Sequence, residues 1–318
     1  MQISDFKWTV TDQARDLLGE LEIMRRVFAL LPQIPQLDLK LSRESLLKSA
    51  VYSARIEGIP TDTRAFHNKE TQNLLSVYTR IFRAGSQKIK LTVEQIKALH
   101  RQAMTGLSAG AGRWRTEPWA VYNPAGVAIF IAPLHTQVPS LMAELVALIN
   151  ATREPAPVVS GVAQFILEKI HPFADGNGRV GRLVSALILH RGGWSFRGLV
   201  PVEEYIEAHR ENYYRALEPG ITATAFIEFW LAGLLDQARQ TLAEYTHPVP
   251  QTPENDLLPR RKEIYLVIKD HPRCSFDFIS RRFSAVNKKT LSYDLSRLVR
   301  IGLVKKLGVT RGAVYETQ

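Results

Sequence analysis

The sequence predicts a mainly α-helical protein that carries one β-hairpin and ends in a small basic domain. Apolar residues recur at helical spacing along most of the chain, which is typical of packed helices. A single Asn-Pro-Ala-Gly turn lies between two β-prone runs, and a proline-rich stretch follows residue 246. Apolar residues make up 45% of the chain and charged residues 23%, as in globular proteins with a buried core.

Residues 1–90 are predicted to be a run of helices separated by prolines. Their apolar residues recur at helical spacing around 17–24 and 46–54. The next helix is expected over 91–104, where Thr92 is a candidate N-cap and Gln95 its capping-box partner.

Residues 91–246 are predicted to form a helical core with a β-hairpin. The hairpin is expected within 121–139, around the turn at 123–126. One helix should end at His171-Pro172 and another should begin close behind it. Two more helices are expected over about 202–217 and 224–245, before a linker at 247–256.

The C-terminal residues 257–318 hold 14 lysines and arginines against 5 aspartates and glutamates, nearly all of the chain's net charge of +10. Three helix candidates followed by two short β runs resemble a winged helix-turn-helix. Basic residues lie in or beside the third helix and the wing, where they are candidate phosphate contacts for DNA: Lys288, Lys289, Arg297, Arg300, Lys305, Lys306 and Arg311. Contacts in a homodimer, docking of a target protein, or no nucleic acid binding at all stay open as alternatives.

The composition also excludes some classes of protein. Cys274 is the single cysteine, which excludes an intrachain disulfide and a cysteine-based metal site, and it is expected to be a plain buried or edge thiol rather than a nucleophile. The start of the chain is too polar for a signal peptide, and no apolar run reaches the length of about 20 residues that spans a bilayer. We therefore expect a cytoplasmic protein without a membrane segment.

The chemistry is expected in the loop 171–182, which reads HPFADGNGRVGR. Gly176, Asn177 and Gly178 tolerate positive φ, so the backbone can curl and point several N–H groups at one anion. The helix that follows adds its N-terminal dipole. Arg179 and Arg182 lie three residues apart on one helical face, and both can hold phosphate oxygens in pairs. The loop therefore predicts a polyphosphate site.

Two further side chains of the loop suit chemistry on a phosphate. Asp175 offers the hard oxygen that Mg²⁺ prefers, and the ion commonly takes its other ligands from water and substrate phosphates. His171 has an ordinary pKa near ~6.5, so much of it is neutral at pH 7 and can accept a proton from an attacking hydroxyl. The alternative is a core histidine beside an ordinary glycine turn, but so many functional groups within one loop favour a site.

The string from His171 to Arg182 resembles the signature of the Fic family, with all the defining positions present. The resemblance implies a helical core with a β-hairpin flap and a protein adenylyltransferase that moves AMP from ATP to a hydroxyl side chain, releasing pyrophosphate. It implies His171 as the base, Asp175 as the Mg²⁺ ligand and Phe173 as a core anchor. The implied nucleotide-binding residues are Asp175, Gly176, Asn177, Gly178, Arg179, Val180, Gly181, Arg182 and Tyr213.

The resemblance carries further expectations outside the loop. The flap residues Val127, Ala128, Ile129 and Phe130 would cover the nucleotide and pair with an extended target segment. Tyr213 would lie near the adenine, although two core tyrosines at 213 and 214 explain the sequence equally well.

The stretch from Ser53 to Gly58 resembles the inhibitory helix of the same family. If that helix docks on the site, Glu57 can pair with Arg182 and occupy the arginine meant for the γ-phosphate. A surface ion pair contributes only ~0–1 kcal/mol, so the pair has to be partly buried to inhibit. In some relatives this glutamate aligns a water that removes AMP, so a de-adenylylating hydrolase stays open. A DNA-binding regulator with a nucleotide-sensing site is the alternative from another class.

Overall fold

The computed structural model describes residues 2–59, 68–84, 90–122, 125–126, 128–217, 220–246, 257–284, 286–308 and 312–318. These residues are mainly helical, as the sequence predicts, with two small antiparallel sheets. No helix among them is both long enough and apolar enough to cross a bilayer.

The N-terminal part forms three long helices after a short 3-10 turn. They are α1 (Asp12–Leu30), α2 (Pro35–Ile56) and α3 (Lys69–Arg83). Thr11 and Asn68 cap α1 and α3 with their side-chain oxygens, and Pro35 opens α2 at a position where its missing N–H costs nothing.

The middle of the chain forms the hairpin and seven helices. In chain order these are α4 (Val93–Ala103), β1 (Ala120–Tyr122), β2 (Ala128–Ile131), α5 (Val138–Ala151), α6 (Ala156–Ile170), α7 (Asn177–Arg191), α8 (Val202–Ala208), α9 (Arg210–Leu217) and α10 (Thr224–Thr246). The capping box of Thr92 and Gln95 is present at α4. Helices α6 and α7 pack against each other and are buried along almost their whole length, so the loop between them is anchored at both ends by buried helices.

The C-terminal part has a hydrophobic core of its own, built around Ile264, Phe283 and Leu295. Its elements are α11 (Pro259–Asp270), β3 (Cys274–Ser275), α12 (Phe276–Arg282), α13 (Lys288–Arg300), β4 (Val304–Leu307) and β5 (Val314–Thr317). Strand β5 lies between β3 and β4, and both pairings are antiparallel. Cys274 is buried, as expected of an unreactive thiol.

The structure differs from the sequence predictions at three elements. The helix expected over 202–217 is two helices, α8 and α9, because the backbone at His209 leaves the helical region (φ −122°, ψ 38°). Helix α5 and strand β3 were not predicted. Strand β3 has two residues, too few to show an alternating pattern.

Some predicted features lie outside the described residues. These are the linker 247–256, the flap residue Val127, the first half of the hairpin turn and Arg311, together with the side chain of Ile129.

Candidate active site

The loop between α6 and α7 is shaped by two residues with left-handed backbone. His171 ends α6 with φ 48° and ψ 61°, and Gly176 precedes α7 with φ 82°. A non-glycine residue rarely adopts this conformation, and such residues concentrate at functional sites. The reversal turns His171 away from the α6 axis and lets α7 begin at Asn177.

Two side chains fix the inside of the loop. The Asn177 side chain accepts a hydrogen bond from the Phe173 amide (2.8 Å) and donates one to the Phe173 carbonyl (2.9 Å). The Phe173 ring is fully buried, as expected of a core anchor, and stacks on His100 with ring centroids 3.7 Å apart. His100 in turn hydrogen-bonds the Asp175 carbonyl at 2.9 Å. The loop is thus preorganised by the protein interior.

The imidazole of His171 lies in a half-buried position on the wall of an open cavity. Trp119 stacks on it, with ring centroids 3.4 Å apart and planes 18° from parallel. Burial lowers the pKa of His171 to about 4, against the opposing effect of its hydrogen bond to the Glu168 carbonyl. In the neutral ring one nitrogen donates to that carbonyl, which leaves the other nitrogen free to accept a proton.

Arg115 joins the base of the hairpin to the loop between α6 and α7. Its buried guanidinium donates to the carbonyls of His171 (2.7 Å), Glu117 (2.8 Å) and Pro133, and its amide donates to the carbonyl of Pro172 (2.9 Å). One residue therefore binds backbone carbonyls on both sides of the hairpin and in the loop, and the hairpin is fixed relative to His171.

The N-terminus of α7 faces the same cavity. Within the described part of the chain, the amides of Asn177, Gly178 and Arg179 donate to no protein acceptor. The missing side chain of Gly178 lets Glu57 approach the start of α7 closely, since a Cβ there would lie 2.3 Å from Glu57 Oε1. Free helix N-terminal amides attract anions through their N–H groups and the helix dipole.

Asp175 and Arg179 form an ion pair that extends to a third residue. Arg179 Nη2 lies 2.6 Å from Asp175 Oδ1, and its Nη1 pairs with Glu70 of α3. The side chains of Glu70 and Arg179 are each 5% exposed, whereas that of Asp175 is 62% exposed. The sequence predicts that Arg179 binds phosphate. In the structure both of its Nη atoms bind carboxylates instead.

Asp175 has a free oxygen that suits a metal ion. Its Oδ1 also accepts from the Gly176 amide at 2.6 Å, whereas Oδ2 accepts no hydrogen bond from the described residues. A hard, exposed carboxylate oxygen beside an anion-binding helix end fits the donor preference of Mg²⁺, which keeps several water ligands.

Arg182 is held by the end of α2. Its Nε donates to Ser53 Oγ (2.9 Å), and its Nη2 donates to the Ser53 carbonyl (2.8 Å) and to Glu57 Oε1 (2.8 Å). Glu57 is the C-cap of α2, and Gly58 follows with φ 79°, the left-handed conformation that ends many helices. The Glu57–Arg182 contact expected from the sequence is therefore present in the structure.

This ion pair is largely desolvated. The Arg182 side chain is fully buried and that of Glu57 is 29% exposed. Burial disfavours the Arg182 charge, but Glu57, Tyr213 and Tyr78 together outweigh burial, and the pKa of Arg182 is raised. Burial, together with the nearby Glu57 carboxylate, raises the pKa of Glu168 to about 8. Among the described residues, Arg182 Nη1 is buried and has no hydrogen-bond acceptor, so the arginine keeps one unused donor.

The two adjacent tyrosines on α9 have different surroundings. Tyr213 is 1% exposed, and its hydroxyl accepts a hydrogen bond from Gln164 at 2.9 Å, so it is a core residue at the cavity wall. Tyr214 is 42% exposed and donates to the carbonyl of Ile56 at 2.8 Å. Arg210 donates to the same carbonyl at 2.9 Å, so α9 holds the residue that precedes Glu57.

The hairpin forms part of the cavity wall. Val121 pairs with Phe130, and both line the cavity together with Trp119. Ala128 is exposed at the other end of β2. The flap predicted from the sequence is thus positioned beside His171.

Comparison with known proteins identifies this part of the chain. The model of the Fic/DOC family matches residues 90–189, which include the hairpin and the whole loop. The similarity to the Fic/DOC family is thus carried by this segment, which is less than half of the chain. Helices α1 to α3, with Ser53, Glu57 and Glu70, lie outside the matched Fic segment.

Two curated relatives match part of the chain. Protein adenylyltransferase Fic of Culex quinquefasciatus is 30% identical over 105 residues, 31% of this chain and 19% of that protein. The Aedes aegypti protein of the same name is 32% identical over 98 residues, 29% and 18% of the two chains. The chain thus spans about a fifth of the length of these relatives.

Two crystal structures share the fold. A Fic family protein from Desulfovibrio desulfuricans G20 has a TM-score of 0.61 at 23% identity, covering 98% of this chain and 97% of that chain. A Fic domain-containing signalling protein from Bacteroides thetaiotaomicron has a TM-score of 0.61 at 17% identity, covering 76% and 99%.

Several residues of the site were not found from the sequence. They are Glu70, His100, Arg115, Trp119 and Tyr214. All of them lie more than 30 residues from the loop, and none belongs to a motif, so no spacing could indicate their contacts.

Proposed function

We propose that the chain is a protein adenylyltransferase, restrained by Glu57, that moves AMP from ATP to a hydroxyl side chain of a protein. The observation that carries this proposal is one cavity that contains a neutral histidine, a helix N-terminus with free amides and a free carboxylate oxygen. The names of the two mosquito relatives support the same activity.

The triphosphate would lie along the start of α7. The free amides of Asn177, Gly178 and Arg179 would hold phosphate oxygens, and the missing side chain of Gly178 permits a close approach. Arg182 would bind the γ-phosphate once Glu57 leaves, since its unused Nη1 and its charge both favour an anion.

His171 would act as general base. The free imidazole nitrogen takes the proton of the target hydroxyl, and the oxygen attacks the α-phosphorus. The new O–P bond forms as the bond between the α-phosphorus and the bridging oxygen breaks, and pyrophosphate leaves with that oxygen. General-base assistance of this kind contributes a factor of roughly 10²–10⁴ in rate.

Asp175 would hold Mg²⁺ through its free Oδ2. The ion supplies charge neutralisation for the phosphates during transfer. The ion pair with Arg179 and the Gly176 amide fix the orientation of this carboxylate before substrate arrives.

Glu57 would inhibit by competing with the γ-phosphate for Arg182. Charge-assisted hydrogen bonds contribute about 1.5–3 kcal/mol each, enough to weaken productive ATP binding when one is buried. An exposed ion pair would contribute too little to inhibit, but the Glu57–Arg182 pair is partly buried. The target segment would pair with the flap edge, where Val121 and Ile131 are exposed.

The test is transfer of label from α-labelled ATP in the presence of Mg²⁺, to the chain itself or to a protein partner. We expect Glu57→Gly to raise labelling and His171→Ala in that background to abolish it. The matched control is Arg113→Ala, because Arg113 is exposed and lies two residues before Arg115. This change should leave labelling unchanged. Unaltered labelling in both site variants would reject the assignment, and reduced AMP release from a modified target in Glu57→Gly would favour the hydrolase.

A second candidate function is DNA binding by the C-terminal part. In α13 the buried face carries Leu291 and Leu295, while Lys288, Lys289 and Arg300 are exposed. Such a face suits phosphate contacts, whose affinity falls steeply with salt. Gel-shift titration of the full chain over a salt series tests this, and binding that does not change with salt would contradict it.

A further inference from the structure

The N-terminal helices reach the loop at two places, and the second contact involves Glu70. Glu57 of the α2 end binds Arg182, whereas Glu70 in the first turn of α3 binds Arg179. These two arginines belong to the same helix, yet their surroundings differ. Glu57 is 29% exposed and sits on the cavity, while Glu70 is 5% exposed and lies behind the loop.

The Glu70 contact cannot act as a simple competitor for phosphate. Arg179 is 5% exposed, and its second Nη atom already binds Asp175 Oδ1 at 2.6 Å. Removing Glu70 would leave a buried cation, not an arginine free to enter the cavity. Glu70 therefore acts on the site through Arg179 and Asp175.

The three side chains form one connected row. Glu70 is fixed by α3, where its amide donates to the Asn68 cap at 2.9 Å. Arg179 spans from Glu70 to Asp175 with its two Nη atoms, a geometry that only a planar fork allows. The row ends at Oδ2 of Asp175, the oxygen without a protein partner in the described residues.

The charges of the row favour a cation at its exposed end. Two carboxylates and one guanidinium leave a net charge of −1, so Asp175 is oriented by Arg179 without being neutralised by it. Without Glu70 the net charge would be zero, and the whole guanidinium charge would act on Asp175. Residues that orient a metal ligand in this way commonly change metal affinity by about 10–100-fold.

We propose that Glu70 is a positioning residue for the metal site: it draws Arg179 into place and balances its charge, so that Asp175 presents an oriented anionic oxygen to the divalent cation. This inference rests on the proposed function, since it assumes that Asp175 binds the metal with the nucleotide. It assigns opposite effects to the two N-terminal glutamates. Glu57 restrains the enzyme, and Glu70 supports it.

The experiment measures Mn²⁺ binding by electron paramagnetic resonance in the presence of a non-hydrolysable ATP analogue, using the full chain. The parent is Glu57→Gly, and Glu70→Gln is added to it. We expect Mn²⁺ affinity to fall about tenfold. The matched control is Asp38→Asn, which breaks another ion pair of the N-terminal helices, with Arg197 at 2.7 Å, and should stay within about twofold.

Two further variants separate charge from packing. Glu70→Asp keeps the charge and should recover most of the Mn²⁺ affinity, while Asp175→Asn should make the Glu70→Gln change ineffective, because Glu70 acts through Asp175. Should Glu70→Gln not fold, Arg179→Lys tests the same row, since an ammonium cannot span two carboxylates, and should weaken Mn²⁺ similarly.

Equal Mn²⁺ affinity in the parent and in Glu70→Gln would overturn the inference, as would equal losses in Glu70→Gln and Glu70→Asp. AMP transfer by the parent is scored separately. A parent that binds Mn²⁺ and nucleotide without transferring AMP would refute the proposed function. The role of Glu70 would then still be tested by the Mn²⁺ affinities of the parent and of Glu70→Gln. A parent without Mn²⁺ binding would overturn both.

Discussion

Trp119 lies flat on His171, with ring centroids 3.4 Å apart, and so removes water from one face of the imidazole. The pKa of His171 is about 4 because burial disfavours the charged ring. The neutral form that accepts a proton therefore persists well below pH 6, and activity should be lost only as pH falls through about 4.

Replacing Trp119 by Ala should shift this acid limb to higher pH. Water would reach the imidazole, and its pKa would rise toward the ordinary value of ~6.5. The measurement is the pH dependence of kcat/KM in the Glu57→Gly background, with Trp119→Phe as the variant that keeps an aromatic cover. An acid limb that stays in place in Trp119→Ala would show that the stacking does not set the pKa.

The Tyr214 hydroxyl helps to hold Glu57 in place, since it donates to the carbonyl of Ile56. A neutral hydrogen bond contributes about 0.5–1.5 kcal/mol, so Tyr214→Phe should raise basal AMP transfer up to about tenfold while Arg210 keeps part of the contact. Tyr245→Phe is the control, because that hydroxyl also donates to a carbonyl, at Pro32. Equal effects of the two changes would contradict a specific role for Tyr214.

Arg115 is expected to be the most costly of the site arginines to remove. Arg115→Ala would leave the carbonyls of His171, Glu117 and Pro133 without their donor, and buried acceptors of this kind cost about 1–3 kcal/mol each. We expect a loss of more than about 3 kcal/mol in the free energy of unfolding, measured with urea. Arg113→Ala, an exposed neighbour, should change it by less than about 0.5 kcal/mol. Similar losses in the free energy of unfolding for the two variants would show that the hydrogen bonds of Arg115 do not stabilise the fold.

Gly178 is predicted to be needed for nucleotide binding even when Glu57 is absent. A Cβ at this position would lie 3.2 Å from Arg182 Nη1, in the space proposed for phosphate. Gly178→Ala in the Glu57→Gly background should weaken binding of the ATP analogue by about tenfold or more, measured by calorimetry. Gly19→Ala in α1, where a Cβ meets nothing within 4 Å, is the control. Undiminished affinity would place the triphosphate elsewhere.

The sequence was most informative where contacts are local. The capping box of α4 and the end of α6 at His171 depend on neighbouring residues, and both are predicted and present. The break at His209 was not predicted, because apolar residues continue at helical spacing across it.

The site was predictable only in part for the same reason. Glu57 could be paired with Arg182 because the resemblance supplied the distant partner. Glu70 and Arg115 reach the loop across 109 and 56 positions, and a single sequence contains no signal for such contacts. Tyr214 differs from Tyr213 only in which face of α9 it occupies, which depends on packing.

Because Glu57 and Arg182 are parts of one polypeptide, the restraint that we propose would be a unimolecular equilibrium. Diluting the protein would not release it. Its strength would depend on how tightly the end of α2 packs against Arg182, and not on the concentration of the protein. A force or ligand that draws the last turn of α2 outward would free every copy to the same degree.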